Sequence, residues 1–178
     1  MTGFDPNPST EAVEAETEEW VRSQDTRNRV QAVVTGVREP IAAAEIAERA
    51  HCSTNAARKH CNEFTELGIV RRTETEGGYR YRRNDAYFEW RRANELAQQE
   101  SVERLLEDLA DLEARDEEFQ RTFSAPTPEA VDIPEGATHD EIERRLSTLR
   151  EWSTVRAEMA RYTDAVRLAR RSTDGLTA

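Results

Sequence analysis

The side chains with the most chemical potential in this chain lie in one short run. HCSTNAARKHC, residues 51–61, holds both cysteines and two of the three histidines, and the pair His-Cys occurs in it twice. Imidazole and thiolate are zinc ligands, but a metal site needs three or four of them converging on one ion. The spacing argues against that. On a helix that opens after Ser53, Cys61 shares a side with Ala57 and Phe64, at i, i+4 and i+7. Cys52 points inward ahead of it, whereas His51 and His60 point elsewhere. No metal and no cofactor is expected. Buried thiols act first as small hydrophobes, and a cross-link between the two that distorts the turn is the remaining redox alternative.

The letters between the cysteines carry a different chemistry. With Ala57, Cys61 and Phe64 facing inward, Asn55, Ala56, Arg58, Lys59 and Asn62 are left on the opposite face. Asparagine can pair with adenine edges, and arginine or lysine with guanine edges or phosphates. Ser53, Thr54 and Ala56 are small enough to let the helix start approach a groove closely. Before this helix, IAERA (Ile46, Ala47 and Ala50 apolar) reads as a short bracing helix, His51 as the turn and Ser53 as an N-cap. Together these are the parts of a helix-turn-helix.

After Gly68 the period changes from helical to alternating. IVRRT, ETEGG and YRYRR read as a β-hairpin turning at Glu76-Gly77-Gly78. Arg71, Arg72, Arg80, Arg82 and Arg83 make it the most basic stretch, suited to phosphates or the minor groove. The bland alternative pairs these arginines with Glu74, Glu76 and Glu89 on a solvated surface.

Charge along the chain points to the same place. The 178 residues contain 36 acids and 25 bases, a net charge of -11, and Lys59 is the single lysine. Residues 53–92 nevertheless hold nine bases against six acids. A ligand meets a patch and not the mean, so the acidic whole does not exclude a nucleic-acid site there. Acid excess with almost no lysine suggests a surface kept hydrated in concentrated salt, hence a halophilic source; a high-GC genome that favours arginine codons would account for the missing lysine but not for the acid. No window approaches the roughly 18–20 continuous apolar residues of a membrane helix. The acidic start lacks a signal-peptide layout, so a cytoplasmic protein without membrane contact is expected.

The flanking elements follow from pattern. Residues 1–16 read as an acidic, disordered or frayed segment, with a helix starting near Ser9 or Thr10. Asp25-Thr26 offers an N-cap for RNRVQAVVTGV, whose Val30, Val33, Val34 and Val37 share one side; IAAAEIAERA is read as helical throughout. Residues 17–84 form the DNA-binding domain and 85–123 one long helix. A proline-rich linker, 124–138, leads to a second long helix, 139–172, that opens with the capping box Thr138-His139-Asp140-Glu141. Val102, Leu105, Leu109, Leu112 and Phe119, interrupted at Asp116, step by three and four. So do Ile142, Leu146, Leu149, Trp152, Val155, Met159, Tyr162 and Val166. These seams are assigned to a homodimer, with an antiparallel pairing inside one chain as the alternative. The fold class is mainly α: a winged helix-turn-helix with a small hairpin wing, then two long helices forming a coiled-coil or bundle region.

IAERAHCSTNAARKHCNEFTELGIV resembles the helix-turn-helix of winged-helix transcriptional regulators of the ArsR/MarR type. There an "LAE-x-LGVS" run is followed by "TV-x-RHL" and "L-x-x-LG-[IL]-V". It is most similar to the haloarchaeal members, through EEWVRSQDTRNRV and ARKHCNEF, over roughly residues 17–83. The resemblance implies a dimer on palindromic or near-palindromic promoter DNA, with Asn55, Arg58, Lys59 and Asn62 at groove-facing positions. The chain departs from the pattern at His51, where a turn glycine is usual, and at Cys61, where leucine is usual. Metal-sensing relatives carry Cys-x-Cys pairs on a helix, and this chain has none.

The expected function is thus a sequence-specific, homodimeric transcriptional regulator whose partner is double-stranded DNA; any effector is left open. The rival is a winged-helix protein-docking module. An enzyme is not expected, because no Gly-rich phosphate loop and no nucleophile-base arrangement is present.

Overall fold

The computed structural model describes residues 9–132, 136 and 138–174. The protein is mainly helical with one small antiparallel sheet, and it divides into two compact units, residues 1–87 and 88–178.

In the first unit α1 (Thr10–Ser23) is started by Ser9, whose hydroxyl accepts from the Ala12 N–H. Residues 1–8 of the expected N-terminal segment lie outside the described residues, and residues 11–16, in the first turns of this helix, are exposed. Asp25 caps α2 (Thr26–Gly36) by accepting from the Asn28 N–H at 2.7 Å. Its Val30 and Val34 are fully buried.

The next segment is helical only in part. Ile41–Ala42 form a two-residue strand, β1, and the helix α3 occupies Ala43–Arg49. Ile41 pairs with Tyr81 and Ala42 with Arg80. Pro40 has no N–H to give, and β-branched Ile41 suits an extended backbone. Three elements complete the unit: α4 (Thr54–Glu66), β2 (Val70–Thr75) and β3 (Gly78–Arg83). The sheet runs β1-β3-β2, with Arg72 opposite Tyr81 across the hairpin. Gly68, at φ +74°, ends α4 in the left-handed region where glycine bears no Cβ penalty. Ile46, Ala57, Cys61, Phe64, Val70 and Tyr81 fill the core together with the two valines. A side chain of leucine or phenylalanine size buried this way contributes roughly 1.5–3 kcal/mol.

Arg29 enters this core from α2 and is only 7% exposed. Its Nε donates to the Ala50 carbonyl at 2.9 Å and its guanidinium to the carbonyls of Val21, Gln24 and His51. These are carbonyls at the C-terminal ends of α1 and α3, which lack helical partners. One planar fork therefore ties α1 and the turn after α3 to α2.

After the hairpin, α5 (Asp85–Gln99) and α6 (Val102–Phe123) replace the single helix expected over 85–123. The chain breaks because Ser101 is extended (φ -73°, ψ 157°) and its hydroxyl caps α6 by accepting from the Arg104 N–H. Serine competes for backbone groups this way and favours a cap over a helix interior. A 3-10 turn at Pro128–Ala130 interrupts the linker, and α7 spans His139–Asp174. Thr138 and Glu141 exchange the reciprocal bonds of a capping box.

α6 and α7 pack antiparallel to each other. Leu105 clusters with Val166 and Ala169, while nearer the other end Phe119 and Phe123 stack on Trp152. The seam assigned to a dimer is thus already closed within one chain: Leu105, Leu112, Trp152, Val155 and Val166 are buried. Val102, Leu109, Phe119, Ile142, Leu146, Leu149, Met159 and Tyr162 are half-buried. The linker permits the reversal and is itself fastened, since Arg156 donates to the Pro126 carbonyl at 2.7 Å. Among the described residues no helix is long and apolar enough to cross a membrane.

Candidate nucleic-acid interface

The face presented by α4 is set by how the preceding turn is made. His51 takes a left-handed backbone (φ +48°) at the position where the resembled pattern has glycine. Histidine tolerates this region better than most side chains, though at a cost. Arg29 holds its carbonyl, and its ring meets Trp20 edge-on at 6.4 Å between centroids. Ser53 then caps α4, its hydroxyl accepting from the Ala56 N–H at 3.2 Å.

Burial follows the expected side of α4. Ala57, Cys61 and Phe64 are fully buried, whereas Ser53, Thr54, Asn55, Arg58 and Lys59 are exposed and Ala56 and Asn62 half-buried. Arg58 reaches Asn55 Oδ1 at 3.5 Å, a weak contact that leaves its other donors outward. Lys59 lies 4.0 Å from Glu63, which also takes His60 at 3.0 Å and Arg27 at 3.9 Å. The His60 hydrogen bond, aided by the neighbouring cations, holds the Glu63 carboxyl below its ordinary range.

Arg71, Arg72 and Arg80 are exposed on the hairpin, and Arg82 and Arg83 are half-buried. Among the described residues, Arg71, Arg72, Arg80 and Arg82 have no carboxylate within ion-pair distance. The pairing with Glu74, Glu76 and Glu89 weighed from sequence is not made by these four. Arg71 instead donates to Asn84 Oδ1 at 2.8 Å, and Arg83 pairs with Asp85 at 3.1 Å.

α4 and the hairpin meet at Asn62. Its Oδ1 accepts from the Tyr81 hydroxyl at 3.0 Å and from Arg72 at 3.3 Å. Burial pushes the Tyr81 phenol up, so it remains a donor. The Arg72 guanidinium also lies over the Tyr79 ring, 4.4 Å from its centroid. Neither tyrosine stands out as functional in the sequence, where both simply alternate with arginine in Tyr79-Arg80-Tyr81-Arg82. Arg29, Tyr79 and Tyr81 are the residues that pattern reading missed.

The cysteines are core residues. Cys61 is fully buried, and desolvation pushes its thiol up to about 12; burial also raises Cys52, against a partial pull from Arg29. Such thiols are poor nucleophiles. Among the described residues no three His, Cys, Asp or Glu side chains converge as a metal-holding group.

A family profile matches residues 24–168, from the end of α1 into the last turns of α7. The chain belongs to DUF7342, a family of unknown function. The DUF7342 match takes in both compact units, so the α4–hairpin surface and the α6–α7 pair belong to one family unit. No curated protein and no solved structure matches the chain.

Proposed function

We propose that this protein is a winged helix-turn-helix transcriptional regulator that binds double-stranded DNA as a homodimer. The observation that carries this reading is one continuous surface. The exposed Asn55, Arg58 and Lys59 of α4 lie on the element that Asn62 joins to a hairpin whose Arg71, Arg72, Arg80 and Arg82 have, among the described residues, no carboxylate within ion-pair distance. In this reading α4 is the recognition helix, with Asn55 and Arg58 at base edges and Ser53, Thr54 and Ala56 at the close approach. Arg71, Arg72, Arg80, Arg82 and Arg83 form the wing on the backbone or minor groove. The role is binding, not catalysis.

Because the α6–α7 seam is satisfied within the chain, two-fold pairing would use outer faces of the second unit or an exchange of α7. A palindromic operator would then be read by two copies of α4 about one helical turn apart. The acidic, lysine-poor surface supports a cytoplasmic setting in concentrated salt, in a haloarchaeal cell. The net charge of -11 is what favours the second reading, a protein-docking winged helix.

The test is a gel shift on duplexes recovered by mapping bound chromosomal sites, with wild type and Arg58→Ala/Lys59→Ala. Retarded wild-type complexes and their loss in the variant support the assignment. Binding that the variant leaves unaltered removes the site, and absence of wild-type binding removes the function. Light scattering that finds a monomer at micromolar concentration removes the dimer.

A further inference from the structure

Asn62 sits on the recognition face, yet its contacts are wrong for a base reader. Arginine can only donate, so the Asn62 atom facing Arg72 must be the amide oxygen. That same oxygen takes the Tyr81 hydroxyl, and two donors occupy both lone pairs of one carbonyl. Bidentate pairing with adenine requires this oxygen to be vacant, because it must accept from the base N6 amino group. Tyr81 cannot release it cheaply: the residue is 1% exposed, and its hydroxyl would be left in the core without this partner.

The same contacts make something of Arg72. Its guanidinium is held on one side by Asn62 of α4 and on its face by the Tyr79 ring, while the residue as a whole stays exposed. A solvent-exposed arginine ordinarily loses much rotamer freedom on binding. Here that ordering is done beforehand, at the junction of α4 and hairpin, and among the described residues no carboxylate neutralises the charge.

We propose that Asn62, Tyr79 and Arg72 form a preorganised clamp for one DNA backbone phosphate, lying between the groove read by α4 and the tract covered by the wing. Asn62 is a positioning residue in it, and Arg72 is the group that touches the phosphate. The inference rests on the DNA-binding reading and names the ligand of one part of that surface.

The experiment compares wild type, Arg72→Ala, Asn62→Ala, Tyr79→Leu and the double variant Asn62→Ala/Arg72→Ala. Each is titrated at several KCl concentrations with a duplex selected by the wild-type protein from a random pool, and with a scrambled duplex. Asn62→Ala and Tyr79→Leu each weaken both duplexes by about fivefold, the scale of an exposed cation–π or charged contact. Arg72→Ala lowers the slope of log K against log salt by about one. The double variant binds no worse than Arg72→Ala alone. Loss of discrimination between the duplexes in Asn62→Ala, or additive losses in the double variant, overturns the clamp in favour of base reading or independent contacts. Tyr79 is 44% exposed, so Tyr79→Leu decides the matter even where Asn62→Ala lowers the melting temperature. Failure of the wild type to bind either duplex would instead remove the DNA-binding reading itself.

Discussion

The Trp152 indole N–H donates to Asp116 Oδ1 at 2.6 Å in the middle of the α6–α7 seam. Asp116 is 6% exposed; its other oxygen accepts from Gln120 at 2.6 Å, and Arg156 approaches to 3.8 Å. In the sequence this aspartate looks like a fault in the apolar spacing between Leu112 and Phe119. In the fold it is the acceptor that allows a tryptophan to be fully buried, because a buried indole N–H needs a partner. It also sets register: only one antiparallel alignment brings residue 116 opposite residue 152.

Asp116→Ala strands that N–H in a packed interface and is expected to cost about 1–3 kcal/mol. The double change Asp116→Leu/Trp152→Phe removes both partners and should be less damaging than Asp116→Leu alone. Urea unfolding, followed by amide exchange in α6 and α7, measures both. Equal losses for the single and the double change would show that the hydrogen bond contributes nothing.

Arg29 makes a parallel case in the first unit. Arg29→Ala leaves the Ala50, Val21 and Gln24 carbonyls without their donor and opens a cavity, an expected loss of about 3 kcal/mol. Arg29→Lys should recover little, since a single ammonium cannot reproduce the planar fork. Thermal melts of the three proteins test this, and a lysine variant as stable as wild type would contradict it.

His51 is strained in a way that a substitution can relieve. Its φ of +48° disfavours a Cβ by about 1–2 kcal/mol. Glycine removes that penalty but adds unfolded-state entropy and loses the Trp20 contact. His51→Gly should therefore be within about 1 kcal/mol of wild type, whereas β-branched His51→Val should lose about 2 kcal/mol. A valine variant as stable as the glycine variant would show that the turn adopts another backbone.

What could be read in advance was what depends on neighbours a few residues away. Ser53, Asp25 and Thr138 were legible as caps, the Ala57-Cys61-Phe64 side as buried, and the hairpin from its change of period. The break at Ser101 was hidden because Ala93, Ala97, Ser101 and Leu105 keep steps of four, so the helical phase runs across it. β1 is two residues long and exists only because Tyr81 and Arg80 lie beside it. Arg29 stands in an ordinary amphipathic pattern, and its carbonyl partners reach as far as 22 residues along the chain. The α6 and α7 seams were plain, but which copy closes them depends on chain reversal, which periodicity does not encode. For the proposed interface, residue types identified Arg58 and Lys59, whereas the engagement of Asn62 required the fold.

Cys61 connects this packing to pH. The thiol is fully buried, and its pKa is raised to about 12, so the folded state keeps the proton in a range where the unfolded chain, with a thiol of ordinary acidity, releases it. Between about pH 9 and 12 the native state therefore binds more protons, and stability must fall as pH rises, by up to about 1.4 kcal/mol per unit from this group. Below the ordinary thiol range both states are protonated and the full stability is present. Replacing Cys61 by Val, which has similar bulk and no titrating proton, should flatten the alkaline decline while leaving stability at pH 7 within about 1.5 kcal/mol of wild type. Urea midpoints measured from pH 7 to 11 test the slope. An unchanged slope in the Val variant would mean that Cys61 ionises without unfolding. Alkylation at pH 8 gives a second check. Half-buried Cys52 should be modified first, and Cys61 should react only in urea. A native protein that takes up two labels at once would show a more open α4 core than the packing of Ala57, Cys61 and Phe64 permits.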